Sequence, residues 1–339
     1  MVMQDAIRSL IERGELTAAD ASGAMEEIMT GAATPAQMGA FLAGLRMRGE
    51  TPEVIAACME VTQRHAEPVE VSDVIDIVGT GGDGMDTFNV STAAAIVVAA
   101  TGVRVAKHGN RAASSKCGSA DVLEALGARL DLTGAEAAHI IESCGFCFLF
   151  AQRFHPAFRH VGGPRREMGT RTIFNLLGPL TNPARPQAML VGVGVRELGP
   201  LVAEAFRVRG LHRVMVVHSD EGLDEISPSG PTHAWVLSGG EVQEEEFTPA
   251  DFGLPVHPIE KVIGGDADEN AGAMLAVLDG AEGAVTDFVL MNAAAALCIA
   301  GKTDRLPDGV AMAHEALASG RARDVLDQYI ALTQEVVHE

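Results

Sequence analysis

The sequence predicts an α/β fold, a mostly parallel sheet flanked by helices, with a smaller all-α domain at the amino terminus. Three observations support this prediction. Residues 1–70 carry only helical patterns, short apolar strands alternate with helices from residue 71 onward, and several strands end in glycine-rich or polar loops. Alternating strands and helices are typical of parallel sheets with helices on both faces. Ligands of such sheets bind at the carboxyl ends of the strands.

The composition limits the classes of protein that fit. The chain has 339 residues, 47% of them hydrophobic and 21% charged, which suggests about two domains of ordinary globular composition. The net charge of −21 repels nucleic acids and anionic membranes. Any anionic ligand must therefore be held locally, by backbone N–H groups, a few cations or a metal ion. The longest apolar run, residues 93–103, is shorter than the ~18–20 residues of a membrane span.

The five cysteines predict no disulfide framework, because their number is odd and the chain is large. Cys144 and Cys147 have the spacing of a redox or zinc pair, but no second pair accompanies them, and we expect neither role. Residues 1–15 are expected to form an amphipathic helix that contains acids, unlike a secretion signal. The expected location is the cytoplasm.

Helix start signals recur in the amino-terminal region. Thr17, Thr34 and Thr51 each precede a helical pattern, and proline directly follows the last two, which is a strong signature of a helix start. Gly31 and Gly49 stand where helices should end. These helices are expected to form a small bundle that packs on the main body or on a second subunit.

The domain boundaries follow from the change of pattern near residue 71. The helical domain is assigned to residues 1–70, and the α/β domain to residues 71–164 and 186–339. Residues 165–185 are helical and then turn-rich, and we expect them to return to the helical domain. The α/β strands are expected in "VIDIVGTGGDG", in "VRVAKHGNR", and at residues 145–150, 187–193 and 213–218.

A glycine-rich loop, residues 79–84, follows the first predicted strand. It matches G-x-G-x-x-G, so binding of NAD(P) by a dehydrogenase has to be weighed. A dinucleotide site usually has an acid at the end of the next strand, where this chain has Lys107, although an NADP site tolerates a cation. The loop also lacks the G-K-[ST] of a P-loop. It favours phosphate binding by backbone N–H groups and a helix amino terminus; the alternative is a tight turn without a ligand.

Polar residues continue this pattern along the chain. Asp83 is unusual in a phosphate loop unless a cation or a hydroxyl lies opposite it. Residues 89–92 begin a helix predicted at about 91–100, and their polar side chains either cap this helix or contact a ligand. A second loop, residues 107–116, gathers three cations, an asparagine and two serines. In a chain of this charge, such a loop indicates an anionic partner more than a solvated surface.

An adjacent pair of acids, Asp224 and Glu225, follows the predicted strand at 213–218. Adjacent carboxylates after a strand commonly bind a divalent metal. Two solvated acids are the alternative for a bare Asp-Glu pair. A diphosphate substrate would favour the metal site, because a divalent cation neutralises its charge.

The combined motifs resemble the anthranilate phosphoribosyltransferase family. They are "GTGGDG…TFNVST", "KHGNRAASSKCGSADVLEALG", "HPAFRHVGGPRREMGTRTIFNLLGPLTNP" and "DEISPSGPT", and the resemblance covers nearly the whole chain. It implies transfer of phosphoribosyl from phosphoribosyl diphosphate to anthranilate in tryptophan biosynthesis, with about two Mg²⁺ ions per subunit. It also implies a homodimer formed through the helical domain, with small-molecule substrates and no nucleic-acid or membrane partner.

The resemblance assigns site residues motif by motif. The residues assigned to phosphoribosyl diphosphate are Gly79, Gly82, Asp83, Thr87, Asn89, Val90, Ser91, Thr92, Lys107, His108, Gly109, Asn110, Arg111, Ala112, Ala113, Ser114, Ser115 and Ser119. Those assigned to anthranilate are Gly79, Asn110 and Arg165, and those assigned to the metal are Ser91, Asp224 and Glu225. Arg165 suits a carboxylate substrate, which needs a cation. No acid or base is obligatory, and His108 is the nearest candidate. Cys117 departs from the serine of many relatives.

Two other functions share this architecture. A pyrimidine or thymidine phosphorylase would bind free phosphate and would not need Mg²⁺, so the Asp224-Glu225 pair and Arg165 argue against it. A non-enzymatic relative that binds nucleic acid would need a basic groove, which the charge of −21 disfavours.

Overall fold

A computed structural model of the protein describes residues 2–112 and 116–335. Its seven strands form one mixed sheet in the order β3-β2-β1-β4-β5-β6-β7. The strands are β1 (Val74–Gly79), β2 (Arg104–Gly109), β3 (Phe146–Phe150), β4 (Ala188–Gly192), β5 (Arg213–Ser219), β6 (Thr232–Ser238) and β7 (Glu241–Phe247). Strands β1 to β5 pair in parallel, whereas β6 and β7 extend the β5 edge antiparallel. The predicted fold class is confirmed, and β6 and β7 are additions that the strand prediction missed.

The register of β1 differs on its two sides. Strand β1 pairs with β4 from Ile75 to Gly79. It pairs with β2 only at Val74–Arg104 and Ile75–Val105. Strands β1 and β2 therefore separate towards their carboxyl ends, at the edge of the sheet where ligands of parallel sheets bind.

Fifteen α-helices surround the sheet and form the amino-terminal bundle within the described ranges. They are α1 (Val2–Arg8), α2 (Ala18–Met29), α3 (Pro35–Arg48), α4 (Pro52–Arg64), α5 (Val90–Ala99), α6 (Ser119–Ala125), α7 (Gly134–Cys144), α8 (Ala151–Phe154), α9 (Arg159–Met168), α10 (Phe174–Leu180), α11 (Leu198–Val208), α12 (Ala267–Leu278), α13 (Ala284–Ile299), α14 (Leu306–Ala318) and α15 (Arg321–Glu335). A π-helical turn, Ser9–Arg13, continues α1. None of the helices in the described part of the chain combines the length and apolarity needed to cross a membrane.

The predicted helix caps are confirmed. The side-chain oxygens of Thr17, Thr34 and Thr51 each accept a hydrogen bond from the backbone N–H three residues on, at 3.1–3.3 Å. Gly49 follows α3, and Gly31 comes just after α2; both have positive φ, at 86° and 73°. These residues satisfy free backbone groups at helix ends, so local sequence determines where the bundle helices start and stop.

Helices α9 and α10 belong to the same apolar cluster as the amino-terminal bundle. Val161 of α9 and Phe174 and Leu177 of α10 are buried in it with residues of α1 to α4. The cluster also contains one face of β4 and β5. This packing agrees with a return of residues 165–185 to the helical domain, although the domain division itself stays a prediction.

Helix α5 lies in the second large apolar cluster, packed with α13. Of the ten residues of α5, every one is buried except Ser91. A helix that is apolar all round belongs in a core, and its position there directs Ser91, near its amino terminus, towards the carboxyl edge of β1. The core thus positions a hydroxyl in the candidate site.

Glycine is required where α11 crosses β6. A Cβ added to Gly199 would lie 2.0 Å from the Trp235 ring, whereas one added to Gly272, in α12, would meet nothing within 4 Å. We expect Gly199→Ala to lower the free energy of unfolding by about 1–3 kcal/mol through overpacking. Gly272→Ala, the matched control, should raise it by about 0.5–1 kcal/mol through helix propensity. Urea denaturation measures both, and a stabilised Gly199→Ala would contradict the packing described.

Candidate active site

The loops after β1, β2 and β5 meet at the carboxyl edge of the sheet. The backbone N–H of Gly81, in the loop after β1, donates to the Asp224 carboxylate at 2.6 Å. Lys107, in β2, donates to the Ser91 hydroxyl at 3.1 Å. The acid pair, the glycine loop and the start of α5 are therefore brought together as the sequence predicted.

Glycines let the first loop and the Asp224 segment approach each other closely. A Cβ on Gly79 would lie 2.4 Å from the Asp224 carboxylate. A Cβ on Gly192, in β4, would lie 1.5 Å from the backbone oxygen of Asp224. Gly82 has a φ of 78°, and a Cβ there would collide with the Arg171 guanidinium at 1.5 Å. The loop is compact because these positions carry no side chain.

The start of α5 has no side-chain cap. Asn89 uses its side chain to donate to the Cys117 carbonyl at 3.1 Å and to accept from Asn270 at 2.9 Å. The alternative of side-chain capping by Asn89 or Ser91 is not observed, since α5 has no side-chain cap and the Asn89 amide bonds to Cys117 and Asn270 instead. The buried Thr92 hydroxyl has no hydrogen-bond partner within the described residues. A helix amino terminus without a side-chain cap, with a free hydroxyl beside it, suits an anionic ligand.

Three acids converge beside this helix start. Burial raises the pKa of Asp83 to about 6, with the Asp224 charge adding to the effect. Burial and then the Asp224 charge raise the pKa of Glu225 well above its usual value. The Ser91 hydroxyl lies with them and acts to lower the pKa of Glu225. Lys107 is the opposing charge, and burial lowers its pKa against the pull of Asp76, Glu225 and Asp224. The cluster carries more buried negative than positive charge, which a divalent cation would balance.

The donor set suits Mg²⁺ with substrate oxygens added. Among residues 2–112 and 116–335, no group of three or more His, Cys, Asp or Glu side chains has the geometry of a complete metal site. Mg²⁺ usually takes one or two protein carboxylates and completes its octahedron with water and substrate phosphates. Ser91, Asp224 and Glu225 fit that pattern.

The second loop is divided between interior and surface. Lys107 and His108 are each 1% exposed, and neither His108 ring nitrogen has a hydrogen-bond partner of good geometry in the described chain. Burial, together with the neighbouring His155, lowers the pKa of His108 well below 6.5. The Asn110 side-chain oxygen accepts from the Arg111 backbone N–H at 2.8 Å. The Arg111 guanidinium pairs with Asp121 and Glu124 on α6.

The remaining assigned residues occupy the margins of the two loops. Thr87 forms an isolated bridge with Ile263, and Val90 is the first residue of α5. A Cβ on Gly109 would press on the Phe148 ring at 2.6 Å and on the Ser119 hydroxyl at 3.0 Å. The Ala112 N–H donates to Asp121 at 3.0 Å. Ala113, Ser114 and Ser115 lie outside the described residues.

A row of rings leads from His108 to Arg165. The ring centroids of His108 and His155 are 5.0 Å apart, those of His155 and Phe158 are 5.0 Å apart, and those of Phe158 and Phe174 are 5.5 Å apart. The Arg165 guanidinium lies 5.5 Å from the Phe174 centroid and is half-buried. Flat apolar rings beside a cation suit an aromatic carboxylate. No described contact joins Arg165 to Gly79 or Asn110.

Three polar residues of the site were missed from the sequence. Arg171 donates to the Gly81 carbonyl at 3.3 Å and borders a cavity of about 330 Å³ between the bundle and α11. Asp76 and Asn182 are buried between β1 and β2, 2.8 Å apart. Asp76 had a visible signal, since a charged residue inside the apolar strand "VIDIVG" must be paired. Asn182 and Arg171 had none.

Two family matches cover most of the chain. Residues 71–323 match the family described as "Glycosyl transferase family, a/b domain". Residues 4–66 match "Glycosyl transferase family, helical bundle domain".

Curated relatives and solved structures carry one name. The chain is 51% identical to an anthranilate phosphoribosyltransferase of Rhodospirillum rubrum, covering 94% of this chain and 92% of that one. It is 49% identical to that of Xanthobacter autotrophicus, covering 96% and 94%. The crystal structure of the Thermus thermophilus enzyme superposes with a TM-score of 0.92 at 44% identity, covering 97% and 99%. The Saccharomyces cerevisiae enzyme in complex with PRPP and Mg gives 0.91 at 30% identity, covering 98% of each.

The row of rings makes the protein sensitive to acid. Burial lowers the pKa of His155 to about 4, from a usual value of 6.5. Between pH 6.5 and pH 4, His155 is protonated in the unfolded chain but stays neutral in the folded chain. Its contribution to stability is therefore complete above pH 6.5 and is lost as the pH falls towards 4. At 1.36 kcal/mol per pH unit, it amounts to roughly 3 kcal/mol.

Both proteins should lose unfolding free energy as the pH falls from 7 to 4. We expect the loss in His155→Phe, which keeps the stacked ring, to be smaller than in the native chain by roughly 3 kcal/mol. His108 should leave a residual slope. Urea denaturation across this pH range measures the difference, with the exposed His139→Gln as the control. Equal slopes for the native chain and His155→Phe would refute the assignment.

Proposed function

The chain belongs to the anthranilate phosphoribosyltransferase family, and from that premise we infer how its residues carry out the reaction. The protein transfers the phosphoribosyl group of 5-phosphoribosyl 1-diphosphate to the amine of anthranilate, giving N-(5-phosphoribosyl)anthranilate and diphosphate in tryptophan biosynthesis. The main support for these roles is the hydrogen bond from the Gly81 N–H to the Asp224 carboxylate, which joins the glycine loop to the acid pair.

The substrate phosphates are held at the start of α5. The N–H groups of residues 79–84 and the uncapped helix amino terminus favour a polyanion there. Thr92, with its unpartnered hydroxyl, and Lys107, with its buried ammonium, supply a hydroxyl and a charge. The second loop, whose residues 113–115 lie outside the described chain, covers the ribose phosphate in this proposal.

Ser91, Asp224 and Glu225 would hold Mg²⁺, and we propose about two ions per subunit, as in other two-metal phosphate sites. When bound, the metal supplies positive charge against the oxygens of the leaving diphosphate. Asp83 lies beside the pair and raises the local negative charge. A phosphorylase that binds free phosphate would gain nothing from this acid cluster, which repels an anion without its metal.

The transfer breaks the bond between ribose C1 and the diphosphate oxygen and forms a bond from C1 to the amine nitrogen. The diphosphate leaves with the electron pair, and the amine loses one proton after the bond forms. The arylamine is neutral at pH 7, so no strong base is needed, and positioning and electrostatics supply most of the rate. His108 is the nearest proton acceptor, and its lowered pKa keeps its ring neutral.

Arg165 would bind the anthranilate carboxylate at the end of the row of rings. The half-buried Phe158 offers an apolar face to the aromatic ring, and the half-buried guanidinium offers a charge-assisted hydrogen bond. Gly79 and Asn110 remain assigned to the amine end, next to the phosphate loop. The aromatic substrate would thus approach from the side of α9 and α10.

The helical domain is the proposed site of homodimer formation. Its surface exposes large apolar side chains, including Ile11 at 67% and Met47 at 86%. Exposed apolar side chains on one region favour association with a partner surface. We place the protein in the cytoplasm, where its five free thiols stay reduced.

A fluorescence assay tests the function. Protein, anthranilate and Mg²⁺ are mixed, phosphoribosyl diphosphate is added, and the loss of anthranilate emission is followed. A decay that EDTA abolishes supports both the reaction and the metal. A folded protein that gives no decay would contradict the function.

The double variant Asp224→Asn, Glu225→Gln tests the metal assignment. We expect kcat at saturating Mg²⁺ to fall by about 10²-fold or more, because the charge developing on diphosphate loses its counterion. The matched control is Glu244→Gln, Glu245→Gln on the exposed strand β7, which removes the same charge far from the loops. Unchanged turnover in the Asp224, Glu225 variant would show the assignment to be wrong.

Arg165→Gln tests the anthranilate site. We expect the KM for anthranilate to rise by about 10–100-fold, equivalent to about 1.5–3 kcal/mol of charge-assisted hydrogen bonding. The KM for phosphoribosyl diphosphate should change little. The control is Arg166→Gln, its exposed neighbour. Steady-state kinetics with each substrate varied will decide, and an unaltered anthranilate KM would exclude Arg165 from that site.

A further inference from the structure

Strands β1 and β2 leave backbone groups unpaired beside the active site. Their ladder has only two paired positions, Val74–Arg104 and Ile75–Val105, although both strands continue for four more residues. The next backbone groups on each strand are buried. Buried N–H and C=O groups must find partners elsewhere.

Two side chains fill the gap and take the place of the missing ladder bonds. The Asn182 amide donates to the Ala106 carbonyl at 2.7 Å and to the Asp76 carboxylate at 2.8 Å. The other oxygen of Asp76 accepts from the His108 N–H at 3.2 Å. Asp76 and Asn182 are 0% and 1% exposed. We call these two residues, with Lys107, the polar wedge.

Lys107 is the third member of the wedge and reaches across the same gap. Its ammonium donates to the Ile77 carbonyl, on β1, at 2.6 Å and to Ser91 at 3.1 Å. The negative charges of Asp76, Glu225 and Asp224 all oppose the lowering of the pKa of this ammonium by burial. A buried ammonium needs an opposing charge and fixed hydrogen-bond acceptors. Asp76 supplies an opposing charge from β1.

The wedge is also bonded to the helical domain. Gln63, near the end of α4, donates from its side-chain amide to the Asn182 carbonyl at 2.7 Å. The Gln63 side-chain oxygen accepts from Arg209, just after α11. Asn182 therefore connects the bundle to the gap between the two strands.

We propose that Asp76 and Asn182 are positioning residues for the phosphoribosyl transfer, which hold β2 away from β1 and fix the Lys107 ammonium against Ser91 at the start of α5. Gln63 sets the wedge relative to the helical domain. This inference rests on the role of Lys107 in the proposed function. Misplacement by about 1 Å can cost about 10²-fold in rate, so a polar wedge of fixed geometry has a direct catalytic consequence.

A double-mutant cycle distinguishes positioning from mere stabilisation. The variants are Asp76→Asn, Lys107→Met and the two combined. Asp76→Asn should lower kcat/KM for phosphoribosyl diphosphate by about tenfold or more, and Lys107→Met by about 10²-fold. Because Asp76 acts through Lys107, the double variant should match Lys107→Met within about twofold. A further tenfold loss in the double variant, or a fully active Asp76→Asn, would overturn the proposal.

Folding stability gives a second readout that does not depend on activity. Asp76→Asn removes one of the opposing charges of Lys107, and Lys107→Met removes the opposing charge of Asp76, whereas the double variant removes both buried charges together. We expect the urea midpoint to fall in each single variant and to recover in the double variant. Additive losses of stability would also overturn the proposal. If the native protein is active and Lys107→Met is fully active too, the role of Lys107 is disproved. The overall function would still stand, because the native protein carries out the reaction.

Gln63→Leu and Thr333→Val form the matched pair for the domain link. Both remove a buried hydrogen bond, but Thr333 bonds to Arg129 and Ile330, far from the wedge in the fold. We expect Gln63→Leu to lower kcat/KM for phosphoribosyl diphosphate by about threefold to tenfold, and Thr333→Val to leave it unaltered. Equal effects of the two variants would show that the link to α4 has no positioning role.

Discussion

The buried ammonium of Lys107 is the charge on which the rest of the site depends. It lies at the carboxyl end of β2 between Asp76 on one side and the acids Asp224 and Glu225 on the other. Without it, these acids would lose their nearest positive charge, and burial already raises the pKa of each of them. With it, the cluster keeps a net negative charge that a divalent cation offsets. In the proposed site, a polyanion would thus bind at one point of a strongly acidic protein.

Close packing converts this charge arrangement into a compact site. Gly79 and Gly192 allow Asp224 to lie directly against β1 and β4, where any side chain would push it away. Core packing of α5 directs Ser91 to the same point. In the row of rings from His108 to Phe174, burial keeps the two histidines, His108 and His155, uncharged. The site therefore combines a charged half for phosphates with an apolar half that ends in a single cation.

Much of the architecture could be predicted from local sequence, and the errors have physical causes. Threonine caps and apolar strands depend on neighbouring residues, so Thr34 and β1 were predictable. Strand β7 was missed because its sequence, "EVQEEEF", is acidic and its place at the sheet edge comes from pairing with β6. Capping of α5 by Asn89 was one alternative, but the approach of Cys117 and Asn270 provides its side chain with other partners. Tertiary contacts overrode the local preference there.

The sequence by itself determined the fold class, and it predicted a phosphate site from the glycine loop, the acid pair and the basic loop, because each is written in a few adjacent residues whose chemistry has few uses. Only the tertiary structure decided that β1 and β2 separate after two paired residues, that Asp76 and Asn182 fill the gap, and that Arg171 lies on Gly82. The paired residues of β1 and β2 are 30 positions apart in the chain, Arg171 and Gly81 are 90 apart, and Asp76 and Asn182 are 106 apart. A hydrogen bond between such distant residues depends on how layers pack, and no local pattern of residues records it.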